Sequence, residues 1–327
     1  MEIRVEMKTI VTAAIAALLL LGTAAPLAAQ LPAFYKHVDR VFWVVDDIDR
    51  TVAGWQKMGM IEARPNPGAA PNLRWSVARL GNIVVDFIQP LDDRTVFAAY
   101  KKRHGQGILA LLHRAPTAAA LDQELARLNQ AGVAVLESRD LGAGGRYVLF
   151  DTAAQGKYVL GIFYTPAGAG LPDAPAAPPD ARRLSQYAFV ARDLKAVSSY
   201  WVRLGFPTME FTHPPLWDLV YHGQPGHFDQ LLGWQRHGDV VYEWIEPTVG
   251  PTTYMDQMSK YGEGLHHLAF DVSDIEREKR QWTLAGFPTS QSGAWGQRDQ
   301  PGYGRYAYQD THSLGGTEVE LLWNYRP

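Results

Sequence analysis

Five titratable side chains sit where an apolar strand does not ordinarily carry them. Glu243 interrupts VVYEWI (Val240 to Ile245), His266 and His267 adjoin in GLHHLAF, and Glu318 and Glu320 alternate in TEVELLW. A carboxylate inside an apolar strand is costly unless it is paired or binds a metal, which marks Glu243 as functional. Strand parity sorts the others. His266 and His267 are expected on opposite faces, so only one enters a common cleft. Glu318 and Glu320 share a face, whereas Glu243 and Glu246 do not, and Glu246, beside Pro247, is expected in solvent. Cysteine is absent, which removes thiolate zinc sites, cysteine nucleophiles and disulfides. Any cation must be held by His, Asp, Glu, Gln or Asn.

The elements that position these groups occur twice. With 327 residues the chain is long for one core. It is 46% hydrophobic and 20% charged, enough to bury a real interior. The net charge of −3 carries no basic excess, so no nucleic-acid partner is expected. DRVFWVVDDIDRTVAGWQKMGM (Asp39 to Met60) lines up with SQYAFVARDLKAVSSYWVRLGF (Ser185 to Phe206), with Trp55 meeting Trp201 and Gly59 meeting Gly205 at an offset of 146. VVDFIQP (Val84 to Pro90) matches VYEWIEP (Val241 to Pro247), and HGQGILALL matches YGEGLHHLA, both at 157. RYVLFDT (Arg146 to Thr152) matches RYAYQDT (Arg305 to Thr311) at 159. Ordered matches at nearly constant offset indicate duplication.

Within each copy a β-rich run leads into a helix ending at Gly, strand-like runs follow, and the cycle repeats. The second helix is clearest in AAALDQELARLNQAG (Ala118 to Gly132), with apolar spacing near 3.6 and a terminal Gly. Each copy reads as βαβββ twice, an α+β module whose sheet curls around a cleft. The expected modules span residues 35–165 and 184–325, joined by a Pro/Ala/Gly-rich linker at 166–183. Residues 1–29 have the charged, apolar and small-residue order of a secretory signal peptide, which places the mature protein in the periplasm or outside the cell. The repeated Arg146-Tyr147 and Arg305-Tyr306 pairs point to a shared structural job. The stretch from Phe211 to Trp234 is expected to form strands and a loop near the cleft mouth, with Trp217, His222 and His227 either lining a pocket or packing at the surface.

Strand–Asp-Ile/Leu–helix–Leu-Gly-Phe, then E-x-I-x-P, then the GLHHLAF run, then a Glu-Leu strand after DT resembles the vicinal oxygen chelate superfamily. That group includes glyoxalase I, methylmalonyl-CoA epimerase, extradiol dioxygenases and bleomycin-resistance binders. The resemblance covers nearly all of Tyr35 to Trp323. It implies tandem modules of the α+β class, each two βαβββ units forming a curled mixed sheet. It further implies metal ligands at Gln186, Glu243, His267 and Glu320, a mixed N/O set suited to one six-coordinate divalent ion (Zn, Ni, Co, Mn or Fe). The Gln, Glu, His, Glu order is similar to a glyoxalase I site, while Gln186 at the first position counts against an iron dioxygenase with two His and one Glu. Module one carries Arg40, Asp86, Ala110 and Leu160 at the places read as equivalent, and is expected to be metal-free.

Two readings of different class follow. In one, the protein is a metal-dependent lyase or isomerase of the glyoxalase or epimerase kind, with Glu320 or Glu243 moving a proton on a small oxygenated substrate. In the other, it is a non-catalytic small-molecule binder of the bleomycin-resistance kind, with an extradiol-type dioxygenase as a third option. The expected partner is a small molecule, with no nucleic acid and no membrane after signal cleavage. Four βαβββ units in one chain allow a monomer as well as a homodimer.

Overall fold

The first strand of each module is a short apolar run that ends at an aspartate, and that aspartate starts a helix. Asp47 accepts from Arg50 N–H and Asp193 from Ala196 N–H, each capping the helix that follows. The second helix of each module is capped by Thr95 or Thr252 in the same manner. The computed structural model describes residues 31–59, 61–66, 69–166, 171–179 and 181–326. The expected signal segment, residues 1–29, lies outside them.

Module one runs β1 (Arg40–Val44), α1 (Ile48–Lys57), β2 (Ile61–Pro65), β3 (Leu73–Leu80), β4 (Ile83–Pro90), α2 (Val96–His104), β5 (Gly107–Arg114), α3 (Ala118–Gln130), β6 (Val135–Gly142), β7 (Gly145–Phe150), α4 (Ala153–Gly156) and β8 (Val159–Tyr164). Module two runs β9 (Leu184–Val190), α5 (Leu194–Arg203), β10 (Glu210–Thr212), β11 (Leu216–Tyr221), β12 (Gln224–Pro225), β13 (Asp229–His237), β14 (Val240–Val249), α6 (Thr253–Lys260), β15 (Gly264–Asp271), α7 (Ile275–Leu284), β16 (Thr289–Trp295), β17 (Gly304–Gln309) and β18 (Glu318–Asn324). The helix expected from Ala118 is α3.

Each module is one curled mixed sheet. The first is ordered β2-β3-β4-β1-β5-β8-β7-β6. In each, the two βαβββ units meet at an antiparallel seam, β1 with β5 and β9 with β15. The second sheet is ordered β10-β13-β14-β9-β15-β18-β17-β16-β11-β12 and differs in one respect. Its hairpin β11–β12 follows β10 in the chain, yet pairs through β11 with β16 at the opposite edge. Residues 213–228, between β10 and β13, therefore strap the two edges together across the cleft. In module one only residues 66–72 separate β2 from β3, and among the described residues none forms such a strap.

One face of both sheets, with the helices, contributes to a shared core that includes Trp43, Trp55, Phe189 and Trp201. Turns of each module reach into the other: Trp55 Nε1 donates to the Leu314 carbonyl at 3.0 Å, and Trp201 Nε1 to the Gly156 carbonyl at 3.1 Å. The concave faces are separate. That of module one is packed by Phe42, Trp75, Phe97, Tyr147 and others, joined by Leu171 of the linker. The repeated arginines tie strand to helix in both modules, Arg146 to Asp122 on α3 and Arg305 to Glu276 on α7. The expected shared structural job is thus a strand-to-helix clasp.

Candidate metal centre

Four consecutive strands at the middle of the second sheet, β14-β9-β15-β18, each contribute one side chain to a polar cluster on the concave face. These are Glu243, Gln186, His267 and Glu320, which are 6%, 5%, 0% and 3% exposed. The structure thus brings together all four residues read from the sequence. His267 Nε2 lies 3.3 Å from Glu243 Oε2 and 3.2 Å from Glu320 Oε2. Gln186 Nε2 donates to Glu243 Oε2 at 2.7 Å and to Glu320 Oε2 at 3.2 Å. Among the described residues, Glu243, His267 and Glu320 are the group of three whose ligand atoms all fall within 4.8 Å of one another.

Two carboxylates at this depth need a compensating cation. Burial opposes a charge on His267, but the Glu320 and Glu243 carboxylates outweigh it and push the imidazole up to about 9. Burial also raises the Glu320 carboxyl. A proton on His267 is therefore the only positive charge the cluster itself supplies. His267 Nε2 nonetheless has no hydrogen-bond partner of good geometry. A buried imidazole nitrogen so placed between two carboxylates, with an amide whose oxygen is exchanged for its nitrogen by a half-turn, fits an N/O-coordinated divalent ion.

A second layer supports the first. His267 Nδ1 lies 2.9 Å from His266 Nδ1, so the two histidines do not point to opposite faces as strand parity requires. The pairing of β15 with β9 shifts register between Leu265 and His267, and this bulge at His266 turns both imidazoles to the concave side. His266 also packs against Tyr254 of α6 and is kept neutral by burial. Its Nε2 stands 3.6 Å from Glu318 Oε2, while Glu318 Oε1 accepts from Ser290 Oγ at 2.8 Å. Glu318, pushed up to about 7 by burial, belongs to this support and not to the triad. Tyr308 lies against the His267 ring at 4.6 Å between centroids. Glu246 is not simply solvated: its carboxylate accepts from Leu194 N–H at 3.0 Å, at the start of α5.

In front of the cluster is a cavity of about 440 Å³, whose lining includes Gln186, Glu243 and Glu320. The strap lies over it and contributes Pro214 and Leu216, while Trp234 and Trp295 form facing walls. Of the three residues singled out near the mouth, none lines the cavity. Trp217 packs on Tyr303, and His222 stands 3.4 Å from Asp256. Leu216 and Gln230 of the stretch expected at the mouth do line the cavity, though no local mark singles them out, and the lining residues Tyr254, Trp295 and Tyr308 lie outside that stretch and were missed.

Module one holds different groups at the same register. Arg40 and Asp86 stand where Gln186 and Glu243 do, joined at 2.6 and 2.8 Å. Trp75 Nε1 also donates to Asp86, and the Pro172 carbonyl of the linker accepts from Arg40. The arginine is the cation of this cluster. Ala110 replaces His267. The place of Glu320 is taken by Gly161, not Leu160: Ala110 pairs with Val159 as His267 pairs with Glu318, so Gly161 lies level with Leu112 as Glu320 does with Ala269.

A sequence model of the glyoxalase/bleomycin resistance protein/dioxygenase superfamily matches residues 39–150 and 185–304. The chain belongs to that superfamily. No curated protein matches the sequence. Among solved structures, a triple mutant of 4-hydroxymandelate synthase from Streptomyces coelicolor is 19% identical, with a TM-score of 0.63, covering 89% of this chain and 93% of its own. A xylose isomerase-like TIM barrel/4-hydroxyphenylpyruvate dioxygenase fusion protein is 14% identical at a TM-score of 0.53, over 89% of this chain and 50% of that one. The Mn(II)-bound glyoxalase from Novosphingobium aromaticivorans is 17% identical at 0.48, over 88% and 82%. For the first two, at these identities, the likeness is one of fold.

Proposed function

We propose that module two is a divalent-metal centre and that the protein is a metal-dependent lyase or isomerase acting on a small substrate with vicinal oxygens. The observation that carries this reading is the convergence of Gln186, Glu243, His267 and Glu320 from four adjacent strands at the floor of a cavity. Those four side chains would hold one ion of Zn, Ni, Co, Mn or Fe. When bound, such an ion supplies Lewis-acid polarisation of the substrate oxygens, which acidifies the neighbouring C–H.

The chain's own residues divide the remaining work. Burial raises the proton affinity of the Glu320 carboxyl, which suits it to the role of base. Its Oε2 takes the proton from the substrate carbon and returns it to the adjacent carbon, or leaves it bound while a leaving group departs. Pro214 and Leu216 of the strap limit water at the cavity. Export through the 1–29 segment is part of the same proposal.

Purified protein should carry about one divalent ion per chain, measured by elemental analysis, and His267→Ala with Glu320→Ala should lose it. Wild-type protein that binds none of Zn, Ni, Co, Mn or Fe(II) overturns the reading.

A further inference from the structure

The segment that leads into each module docks on the other module, and the two dockings are alike. Residues 32–37 and 178–183 are related by the offset of 146 that relates Trp55 to Trp201. Tyr35 N–H donates to the Pro32 carbonyl at 3.1 Å, and Ala181 N–H to the Pro178 carbonyl at 3.0 Å. The next residue then meets a strand-connecting turn of the other module. The Lys36 carbonyl accepts from Asp239 N–H and the Arg182 carbonyl from Asn82 N–H, each at 3.0 Å. Tyr35 and Ala181 therefore occupy equivalent places.

Their surroundings correspond as well. Tyr35 is fully buried, its ring 4.8 Å from His113 of β5 and 5.1 Å from Phe206, which packs on Trp201. Its hydroxyl donates to Glu124 of α3 at 2.7 Å, and Arg127 donates to the same carboxylate. On the other side Phe270 of β15 stands at the place of His113, and Trp55 at that of Trp201. Glu278 of α7 takes the place of Glu124, each equally far before the glycine that follows its helix, Gly286 or Gly132. Arg182 donates to Glu278 at 2.8 Å. What is missing is the phenol ring. Ala181 leaves a cavity of about 250 Å³ whose walls include Trp55, Met58, Leu80, Phe270 and Trp282. Gly59 and Pro178 at its edge are exposed, so it opens to solvent.

We infer that this cavity is a second ligand site, which takes a single-ring phenol in the place that Tyr35 fills on the opposite side. A cavity of about 150 Å³ with apolar walls is already enough to hold benzene. The ring would lie among Trp55, Phe270 and Trp282, with its hydroxyl directed to Glu278 as that of Tyr35 is to Glu124. Walls left unfilled forfeit the packing that Tyr35 supplies in the counterpart. The site shares no lining residue with the cavity before the metal cluster, and the inference does not depend on the metal-centre reading.

The test uses the full chain labelled with 5-fluorotryptophan, fluorine NMR, and p-cresol, the tyrosine side chain as a free molecule. The Trp55 and Trp282 resonances, assigned by single Trp→Phe replacements, should shift and saturate with a Kd on the order of 0.1–1 mM. 4-Methylanisole, whose oxygen carries no proton to donate, should bind at least about five-fold more weakly. Ala181→Tyr, which supplies the ring from the chain itself, should abolish the shifts and raise the thermal midpoint of the unliganded protein. Ala181→Phe does the same work if the tyrosine variant fails to fold, and Ala181→Ser, which leaves the cavity open, should bind as the wild type does. No shift of Trp55 and Trp282 at about 10 mM p-cresol, or shifts that persist in folded Ala181→Tyr or Ala181→Phe, overturn the site. Shifts confined to Trp234 and Trp295 would put the phenol in the metal-site cavity and overturn it equally. Equal affinity for 4-methylanisole overturns the phenol as the ligand class.

Discussion

Trp55 and Trp201 occupy equivalent positions in the two modules, and each donates its indole N–H to a carbonyl of the other module. Trp55 reaches Leu314, in the turn between β17 and β18, and Trp201 reaches Gly156, in the turn between β7 and β8. The contact is reciprocal, in the way a two-fold interface between identical subunits is. Gly156 permits the approach: a Cβ there would stand 2.5 Å from the Trp201 ring.

Replacing either indole by Phe leaves a buried carbonyl without its donor. Trp55→Phe and Trp201→Phe should each lower unfolding stability by about 1–3 kcal/mol in urea denaturation. Gly156→Ala should destabilise through the same contact. A neutral Trp55→Phe beside a costly Trp201→Phe would show that the two tryptophans are not doing the same work.

The cluster of module one makes a contrasting prediction. Arg40 and Asp86 are 3% and 0% exposed, and Arg40→Leu leaves the carboxylate buried without its cation, with the Trp75 indole N–H still donating to it. A loss of about 3–5 kcal/mol is expected in thermal or urea unfolding. Metal stoichiometry in the native protein should not change, because the proposed ligands all lie in module two. Loss of the ion in Arg40→Leu, at a concentration where the protein is folded, would mean that module one contributes to the site.

The duplicated pattern made the fold and the four clustered side chains legible, because strand, cap and turn residues recur at fixed offsets and the polar groups stand out against apolar strands. Three features left no such mark. The strand VLGIFY around Leu160 and Gly161 is apolar throughout, so only pairing fixes its register, and alignment slipped by one residue. The bulge at His266 overrides the alternation from which opposite faces were inferred. The strap is made by pairing Leu216 and Trp217 with Trp295 and Ala294, nearly eighty residues away, and nothing in local periodicity encodes such a partner.

His113 on β5 gives a prediction with a defined pH window. Its ring packs edge-on against Tyr35, its Nδ1 lies 2.5 Å from the His37 carbonyl, and burial pulls it down to about 4. The folded state keeps the imidazole neutral, while the unfolded chain takes up a proton near 6.5. Unfolding therefore binds a proton as pH falls through this range. The stability present above 6.5 is lost between 6.5 and about 4, by up to about 3 kcal/mol. In His113→Asn, unfolding free energies measured at pH 7 and pH 4.5 should differ by less than in the wild type. An identical pH slope in the two proteins excludes His113 as the source.

The strap is held at its start by Trp217. The indole donates to the Gly296 carbonyl at 2.9 Å, stacks on Tyr303 at 5.9 Å and lies under the Arg298 guanidinium at 5.2 Å. At the far end, Tyr221 donates to Asp256 at 2.8 Å. Trp217 does not line the cavity, so Trp217→Ala removes the clasp without altering the wall. Amide exchange across residues 216–225 should then accelerate at least about ten-fold, because local opening no longer has to break these contacts. Exchange in β9, β14, β15 and β18 should stay as in the wild type, since the strands that carry the four clustered side chains are paired independently of the strap. Unchanged protection in 216–225 would show that the backbone pairing with β16 holds the strap by itself, and that Trp217 is packing on its surface.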